Sequence, residues 1–256
     1  MKNFYISLVL VILMPLIGCS NDNFREATAI TNVSVIHPVT GLHKNQTVLF
    51  QNDQIVSVSS SVDNLPSVSE IIDGKDKFLI PGLWDMHVHL TYDDAFTESM
   101  PKLFLAHGIT SVRDTGGLME KMEPVIKKMR APNAISPRVY FSGPLLDGKF
   151  VVYDGDLVPE IGTENSTISM AKNKVTELND AGVDFIKIYE MVSPEIFNAL
   201  SEAASIYDLP IAAHVPLSMR ASIAGPAVDS MEHLRKHHNY FEFFYIYCEQ
   251  LILKTL

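Results

Sequence analysis

Hydrophobic and polar positions alternate along the first third of the chain with the period of two that is typical of β-strands. The segment AITNVSVIHPVTG predicts one strand that ends at Pro38 and Gly41, and QTVLFQNDQIVSVSS predicts two strands around a turn at Asn52 and Asp53. After a loop rich in Ser and Pro, SEIIDGKDKFLI predicts a further strand pair. Strands this short do not make a core alone, so we expect a small β-layer over residues 27–77 that leans on a larger domain.

From Phe78 the pattern changes to apolar runs that alternate with helical segments, which is typical of βα units and a parallel sheet. Six strands are predicted: a run that ends at His89, then ITSVRD, PRVYFSG, VDFIKIY, LPIAAHV and AVDSMEHL. The predicted helices lie near residues 96–107, 118–130, 168–181 and 194–207. This is an α/β pattern with about six βα units, where a closed barrel has eight.

Composition narrows the class of protein. The 256 residues are 47% hydrophobic and 20% charged, which is typical of a globular chain with ample material for a core. The net charge of −10 argues against nucleic acid as a partner. Two cysteines, Cys19 and Cys248, do not make a disulfide framework.

The N-terminus has the pattern of a secretory signal. A basic residue, Lys2, precedes an apolar run over residues 4–17, which is shorter than the ~20 residues of a transmembrane helix. The letters LIGC that end at Cys19 resemble the lipobox of bacterial lipoproteins. That resemblance implies a signal peptide over 1–18, an acylated Cys19 with a tether over 19–26, and lipid anchoring on the extracytoplasmic side of the bacterial cell envelope. An ordinary signal peptide that happens to contain a cysteine is the alternative.

Two histidines stand one residue apart where the first barrel-type strand ends, in IPGLWDMHVHL. Residues i and i+2 of a strand point to the same face, so His87 and His89 project together. Two imidazoles in this position can bind one Zn²⁺ at the carboxyl end of a parallel strand. The pair alone is a weak signal, because two core or surface histidines explain it equally well.

Three later residues favour a metal site over unrelated core or surface histidines. His214 ends the fifth strand and His233 ends the sixth, at the same carboxyl edge. Lys187 lies inside VDFIKIY, a strand that should be apolar on both faces. Burial favours its neutral amine, which can react with CO₂ to form a carbamate and thereby become an oxygen ligand. A buried lysine paired with Glu190 or Asp184 is the alternative.

These motifs together resemble the amidohydrolase superfamily. The resemblance rests on PGLWDMHVHL, HGITSVRDTGG, DFIKIY, AAHV and SMEHL, and it covers residues 27–234. It implies a (β/α)8 TIM barrel preceded by a small composite β-sandwich, of which this chain carries a partial sandwich over 27–77 and an incomplete barrel over 78–235. The most similar subset is the imidazolonepropionase-related and Xaa-Pro dipeptidase-like members, so the implied substrates are dipeptides or N-acyl amino acids.

The resemblance also implies a binuclear zinc centre, or one of another divalent metal. His87 and His89 would bind one ion and His214 and His233 the other, with carboxylated Lys187 and a hydroxide as bridges. Tyr189 and Arg113 are candidate substrate contacts, each at least equally compatible with a structural role. His37 and His107 are interpreted as non-ligands. Glu232 is expected to point to the face opposite His233.

The chain departs from the family after the sixth strand. Members use an aspartate at the end of strand eight to shuttle the proton, whereas only 23 residues follow His233. The tail over 236–256 is crowded with aromatic residues and lacks Gly and Pro, so it does not have the pattern of a βα unit. A shifted reading frame would produce such a tail, and His237 and His238 are conceivable replacement ligands.

Two hypotheses follow from the sequence. One is a lipid-anchored metal-dependent hydrolase of amide bonds. The other is a truncated, inactive metal-binding lipoprotein or an unstable remnant, with exposed barrel edges that favour association. No catalytic residue is assigned, because the sequence offers no strand-eight aspartate. An aspartate supplied by another segment or a second chain would separate the two.

Overall fold

The computed structural model describes residues 24–60 and 66–233, which form two compact units divided between Pro81 and Gly82. The predicted lipoprotein signal with Cys19 lies outside the described residues, and so does the aromatic tail with His237 and His238. Within the described part of the chain, no helix is long and apolar enough to cross a membrane.

The first unit contains one five-stranded sheet. Its strands are β1 (Thr28–His37), β2 (Gly41–Gln51), β3 (Gln54–Ser59), β4 (Glu70–Asp73) and β5 (Phe78–Leu79). β1 pairs antiparallel with β2, which pairs antiparallel with β3, while β4 and β5 both pair parallel with β1. Its core is small, with Ala27, Ala29 and Leu49 buried together. The predicted β-layer is therefore present as one sheet, and a two-layered sandwich stays a prediction.

The second unit alternates strands with helices. Its elements are β6 (Leu83–Val88), α1 (Asp94–Ala106), β7 (Ile109–Asp114), α2 (Met119–Met129), β8 (Arg138–Phe141), β9 (Leu145–Asp147), β10 (Gly162–Glu164), α3 (Ile168–Asp180), β11 (Ile186–Ile188), α4 (Pro194–Ile206), β12 (Ile211–Ala213), α5 (Ala221–Ala224) and β13 (Ser230–Met231). All paired strands in this unit are parallel, in the orders β6-β7-β8 and β10-β9-β11-β12-β13.

The predicted third strand, PRVYFSG, corresponds to β8, and β9 lies beyond it. β8 pairs with β7 and ends at Phe141, and after Ser142–Pro144 the chain continues as β9, which pairs with β11. Counting β8 and β9 as one strand, the six predicted strands follow one another in chain order, as the first six strands of a (β/α)8 barrel do. β10, from the long loop after β9, is an addition that the pattern did not predict. The incomplete barrel itself stays an interpretation.

The first strand of the second unit begins later than Phe78, where the sequence pattern changes. Phe78 belongs to β5 and pairs with β1, and β6 begins only at Leu83. Pro81 interrupts the strand because it has no N–H to donate to a ladder. Gly82 follows at a close approach, since a Cβ there would lie 1.9 Å from the Thr110 hydroxyl oxygen.

The predicted helices are confirmed to within two residues, and three of the four begin at a residue whose side chain caps the helix. Asp93, Thr167 and Ser193 cap α1, α3 and α4, each accepting a backbone N–H from the first turn. α4 also has Pro194 at its first position, where a missing N–H costs nothing. α3 and α4 pack on each other, and their apolar faces belong to the main core of this unit.

Candidate functional site

Lys187 is the most unusual residue of the core. It is the middle residue of β11 and is fully buried, as are its neighbours Ile186 and Ile188. Its Nζ atom has no hydrogen-bond partner within the described residues. Burial lowers the pKa of Lys187 to about 7, which the negative charge of Glu232 opposes and the positive charge of Arg113 assists. An amine with a lowered pKa and no hydrogen-bond partner is thus held where an apolar side chain is the rule.

Four histidines surround one cavity with Lys187. His87 lies in β6, His89 just after it, and His214 and His233 follow β12 and β13 at the same carboxyl edge. The cavity has a volume of 310 Å³, and all four imidazoles and Lys187 line it. The structure therefore brings together the five residues that the sequence singled out, while their role as metal ligands stays a prediction.

Hydrogen bonds orient three of these imidazoles through the same ring nitrogen. Nδ1 of His87 lies 2.7 Å from a carboxylate oxygen of Glu232, and Nδ1 of His214 lies 3.0 Å from one of Glu190. Nδ1 of His89 lies 2.9 Å from the carbonyl oxygen of Gly116. Each partner is an oxygen that accepts a hydrogen bond from Nδ1–H, so Nε2 is the nitrogen with a lone pair for a ligand.

Burial keeps two of these rings neutral. It lowers the pKa of both His89 and His214 to about 4, although the hydrogen bonds to Gly116 and Glu190 oppose the shift. A neutral imidazole is the form that can bind a metal ion, and burial keeps these two rings in that form at neutral pH.

The donor set also shows what a metal centre here would need. Within the described residues, no three His, Cys, Asp or Glu side chains are arranged to hold one ion. Two imidazoles for each of two ions would leave each ion short of a ligand. The unpartnered amine of Lys187 would supply the missing oxygens if it were a carbamate, and in this respect the residues fit the implied centre.

Seven aromatic rings close a circuit around the cavity, which we call the rim. Its imidazole side comprises the four histidines, and its tyrosine side comprises Tyr92, Tyr153 and Tyr189. Centroids of successive rings lie 4.4 to 6.4 Å apart around the whole circuit. Two residues of the tyrosine side, Tyr153 and Tyr189, pack on a small apolar cluster of Leu145 and Ile161, separate from the main core. One side of the cavity thus offers nitrogen ligands and the other an apolar wall.

Two buried aspartates support the two sides of the rim. Asp114, at the end of β7, accepts the N–H groups of Leu90 and Gly116, which flank His89 in space. Asp147, at the end of β9, accepts the N–H groups of Val152 and Met191, which neighbour Tyr153 and Tyr189 in sequence. Burial raises the pKa of Asp114 to about 7 and raises the pKa of Asp147. Both carboxylates position backbone at the cavity.

Glycine is required beside His89. A Cβ on Gly116 would lie 2.8 Å from a methyl carbon of Leu145 and 3.1 Å from Cε1 of His89. Any larger residue would push the His89 ring away from the carbonyl oxygen that orients it, so Gly116 belongs to the site although it carries no side chain.

Of the other residues that the sequence singled out, Tyr189 lines the described cavity and Arg113 does not. Burial raises the pKa of Tyr189. The guanidinium group of Arg113 contacts Met86, Ser230 and Glu232. His37 accepts backbone N–H groups in the β1–β2 turn. His107 is the C-cap residue that follows α1.

Glu232 and Tyr153 are among the cavity residues that the sequence did not assign to the site. Glu232 lines the cavity beside His233, not the opposite face, because β13 ends at Met231 and His233 has a φ of 62°. Strand alternation therefore does not extend to this pair. Tyr153 lies in the long loop after β9, where no periodic pattern marks it.

One protein-family model matches most of the second unit and extends to residue 242. Residues 78–242 match the model of the Amidohydrolase family, so the chain belongs to that family. A dihydroorotase of Wolbachia sp. subsp. Drosophila simulans (strain wRi) is 41% identical over 61 residues, which are 24% of this chain and 14% of that protein.

Solved structures share the fold. A Xaa-Pro dipeptidase with bound methionine in its active site has a TM-score of 0.70 at 17% identity, with 81% of this chain and 61% of that chain covered. A prolidase complexed with N-methylphosphonate-L-proline has a TM-score of 0.67 at 21% identity, with 81% and 60% covered. The chain thus spans less than two thirds of the length of each of these relatives.

Proposed function

We propose that this chain carries the site of a metal-dependent hydrolase that cleaves amide bonds of dipeptides or N-acyl amino acids. The observation that carries the proposal is the buried Nζ of Lys187, unpartnered at a cavity that four histidines line. The neutral amine would attack CO₂ and lose one proton to solvent, which yields a carbamate. The carbamate oxygens would bridge two ions, one held by His87 and His89 and the other by His214 and His233.

Each group of the chain has a defined task in this proposal. Zinc ions in such a centre supply a nucleophile near neutral pH and a Lewis acid for the scissile carbonyl group. Glu190 and Gly116 hold the rings of His214 and His89 so that Nε2 faces a ligand. The tyrosine side of the rim would bind the apolar part of the substrate, with Tyr189 nearest to His214 at 4.4 Å between ring centroids.

The substrate class is supported by two fold relatives. One is described as a prolidase with a proline phosphonate and the other as a Xaa-Pro dipeptidase with methionine. Both bound molecules combine a carboxylate with a compact apolar group. A cavity of 310 Å³ with an apolar wall of Leu145 and tyrosines suits a group of that size.

The test combines metal content, carbamate detection and turnover in the full chain. Purified protein is loaded with zinc in ¹³C-bicarbonate, and we expect two ions per chain, a carbamate carbon signal and hydrolysis of Xaa-Pro dipeptides. The matched control for Lys187→Met is Lys172→Met. Lys172 is an exposed lysine paired with Glu202, so its replacement should retain the zinc, the carbamate signal and the hydrolysis. A chain that binds zinc without turnover would support the alternative of a metal-binding, inactive protein. A chain with neither zinc nor carbamate would contradict the proposal.

We propose further that Cys19 is acylated and anchors the chain in the bacterial cell envelope, on the evidence of LIGC after a short apolar run. Two acyl chains hold a protein stably at a membrane. Cys19→Ser should release the protein from the membrane fraction or block its processing. Unchanged retention and processing of the variant would contradict the anchor.

A further inference from the structure

We propose that Glu232 is a positioning residue of the metal site, which fixes the ring of His87 and is itself held by Arg113. The proposal rests on the metal centre described above, and it adds a carboxylate that the family match does not assign. It concerns the imidazole side of the rim, where β6, β7 and β13 meet through side chains.

Both carboxylate oxygens of Glu232 are engaged. Oε2 lies 2.7 Å from Nδ1 of His87, and Oε1 accepts hydrogen bonds from Nη2 of Arg113 and from Oγ of Ser230 at 3.0 Å. The side chain is only 8% exposed. A carboxylate bound on both oxygens and shielded from water has one orientation, and it imposes that orientation on its partners.

Arg113 makes this arrangement rigid. Its Nε donates to the carbonyl oxygen of Met86 at 2.7 Å, and its Nη1 donates to Oγ of Ser230 at 2.9 Å. The guanidinium carbon lies 5.3 Å from the centroid of the Phe185 ring. Three strands and a buried aromatic ring thus hold one planar cation, a geometry that a lysine does not reproduce.

The local backbone brings Glu232 into the cavity. The N–H of Glu232 donates to the carbonyl oxygen of Ala213 at 2.8 Å, which ties it to the end of β12. The next residue, His233, adopts a left-handed φ of 62°. An L-residue other than glycine is uncommon in that region, and such strain is typical of functional sites. It allows neighbouring residues to face the same cavity.

The consequence is a difference between His87 and His89. The Nδ1 partner of His87 is a carboxylate, whereas that of His89 is a neutral backbone carbonyl group. A carboxylate fixes the tautomer and increases the basicity of the opposite nitrogen, and loss of such a partner typically weakens metal binding about 10- to 100-fold. His87 would therefore depend on its partner more than His89 does.

The experiment measures zinc affinity by chelator competition in full-length Glu232→Gln. The amide keeps the shape but gives His87 no carboxylate, so we expect affinity for one of two ions to fall about 10- to 100-fold. The control is Asp184→Asn, which breaks another carboxylate–arginine pair, with Arg130, outside the cavity. It should leave zinc affinity unchanged, even if it lowers the melting temperature.

A second readout separates this proposal from the proposed function. In the metal-free chain, ¹⁵N NMR of His87 should show the Nδ1–H tautomer in wild type and in Asp184→Asn, and a mixture of tautomers in Glu232→Gln. Wild-type protein that binds no zinc would contradict the proposed function, but the tautomer would still decide whether Glu232 orients His87. Unchanged tautomer and unchanged affinity in Glu232→Gln would overturn the present inference. So would a loss of affinity that Asp184→Asn reproduces at equal loss of stability.

Discussion

The two sides of the rim are built by different means. On the imidazole side, hydrogen bonds to Nδ1 orient the rings of His87, His89 and His214. On the tyrosine side, packing against Leu145 and Ile161 positions Tyr153 and Tyr189. Ion binding requires a directed lone pair at one atom, which hydrogen bonds provide, whereas an organic group requires a shaped surface, which packing provides. We therefore expect substitutions on the imidazole side to weaken zinc binding and substitutions on the tyrosine side to weaken substrate binding.

The largest effect is expected from Lys187→Met, which removes the group between the two sides. The variant should bind at most weakly held zinc and show no hydrolysis above that of metal-free protein. Metal-free Lys187→Met should be at least as stable as metal-free wild type, because an apolar side chain of similar size replaces a buried, unpartnered amine. Metal analysis and thermal unfolding test both parts. Full zinc content in this variant would remove the carbamate from the proposed site.

Substitution of each of the two buried aspartates should affect one side of the rim and not the other. Asp114→Asn and Asp147→Asn each leave backbone N–H groups poorly satisfied, so each should cost about 1–3 kcal/mol of unfolding free energy. Asp114→Asn should also weaken zinc binding, because it loosens the backbone that orients His89. Asp147→Asn should instead raise KM for dipeptides at unchanged zinc affinity. Equal effects of both variants on zinc affinity would show that the two sides are not independent.

Tyr153 tests the tyrosine side alone. Tyr153→Ala removes one ring from the wall, and an aromatic contact is worth about 0.5–1.5 kcal/mol beyond its buried area. We expect KM to rise about 2- to 10-fold, with kcat and zinc affinity little changed. Tyr153→Phe keeps the ring and serves as the matched control. A fall in kcat without a change in KM in the alanine variant would assign Tyr153 to the chemical step.

The smallest effect concerns pH. Burial raises the pKa of Asp114 from its ordinary value to about 7, so the folded chain retains a proton that the unfolded chain releases near pH 4. The contribution of Asp114 to stability is therefore present below about pH 4 and is lost as the pH rises to about 7. The stability difference between metal-free wild type and Asp114→Asn should shrink over that interval. A difference independent of pH would show that Asp114 is ionised throughout.

The comparison of the two sides also shows what the sequence could predict. Lys187 and the four histidines were found because strand periodicity places each of them on a definite edge, and β11 has the expected burial on both faces. The helices were found because caps such as Ser193 are local signals. These predictions depend only on neighbours in the chain.

Contacts between distant residues could not be predicted in this way. Glu232 contacts His87, which is 145 positions away in the sequence. The left-handed φ of His233, just after β13, ends the alternation of side chains that a strand would impose. Arg113, expected as a substrate contact, instead donates to Met86, Ser230 and Glu232. The tyrosine side depends on a long loop whose path is set by Asp147 accepting the N–H of Val152. No short-range pattern carries such information.

The break between β8 and β9 has a consequence for local unfolding. The ladder of β6, β7 and β8 ends where that of β9 to β13 begins, and Ser142–Pro144 is the covalent link between them. At this link, backbone hydrogen bonds run from the N–H of Gly117 to the carbonyl oxygen of Gly143 and from the N–H of Asp184 to that of Phe141. Side-chain hydrogen bonds of His87 and Arg113 to Glu232 also join the two ladders. Cooperative opening follows hydrogen-bonded units, so each ladder is a candidate foldon, and the contacts of Glu232 couple the two. His87 and His89 lie in or next to the first ladder, and Lys187 and His214 lie in or next to the second. A metal ion bound by residues from both would therefore require the two ladders to open together.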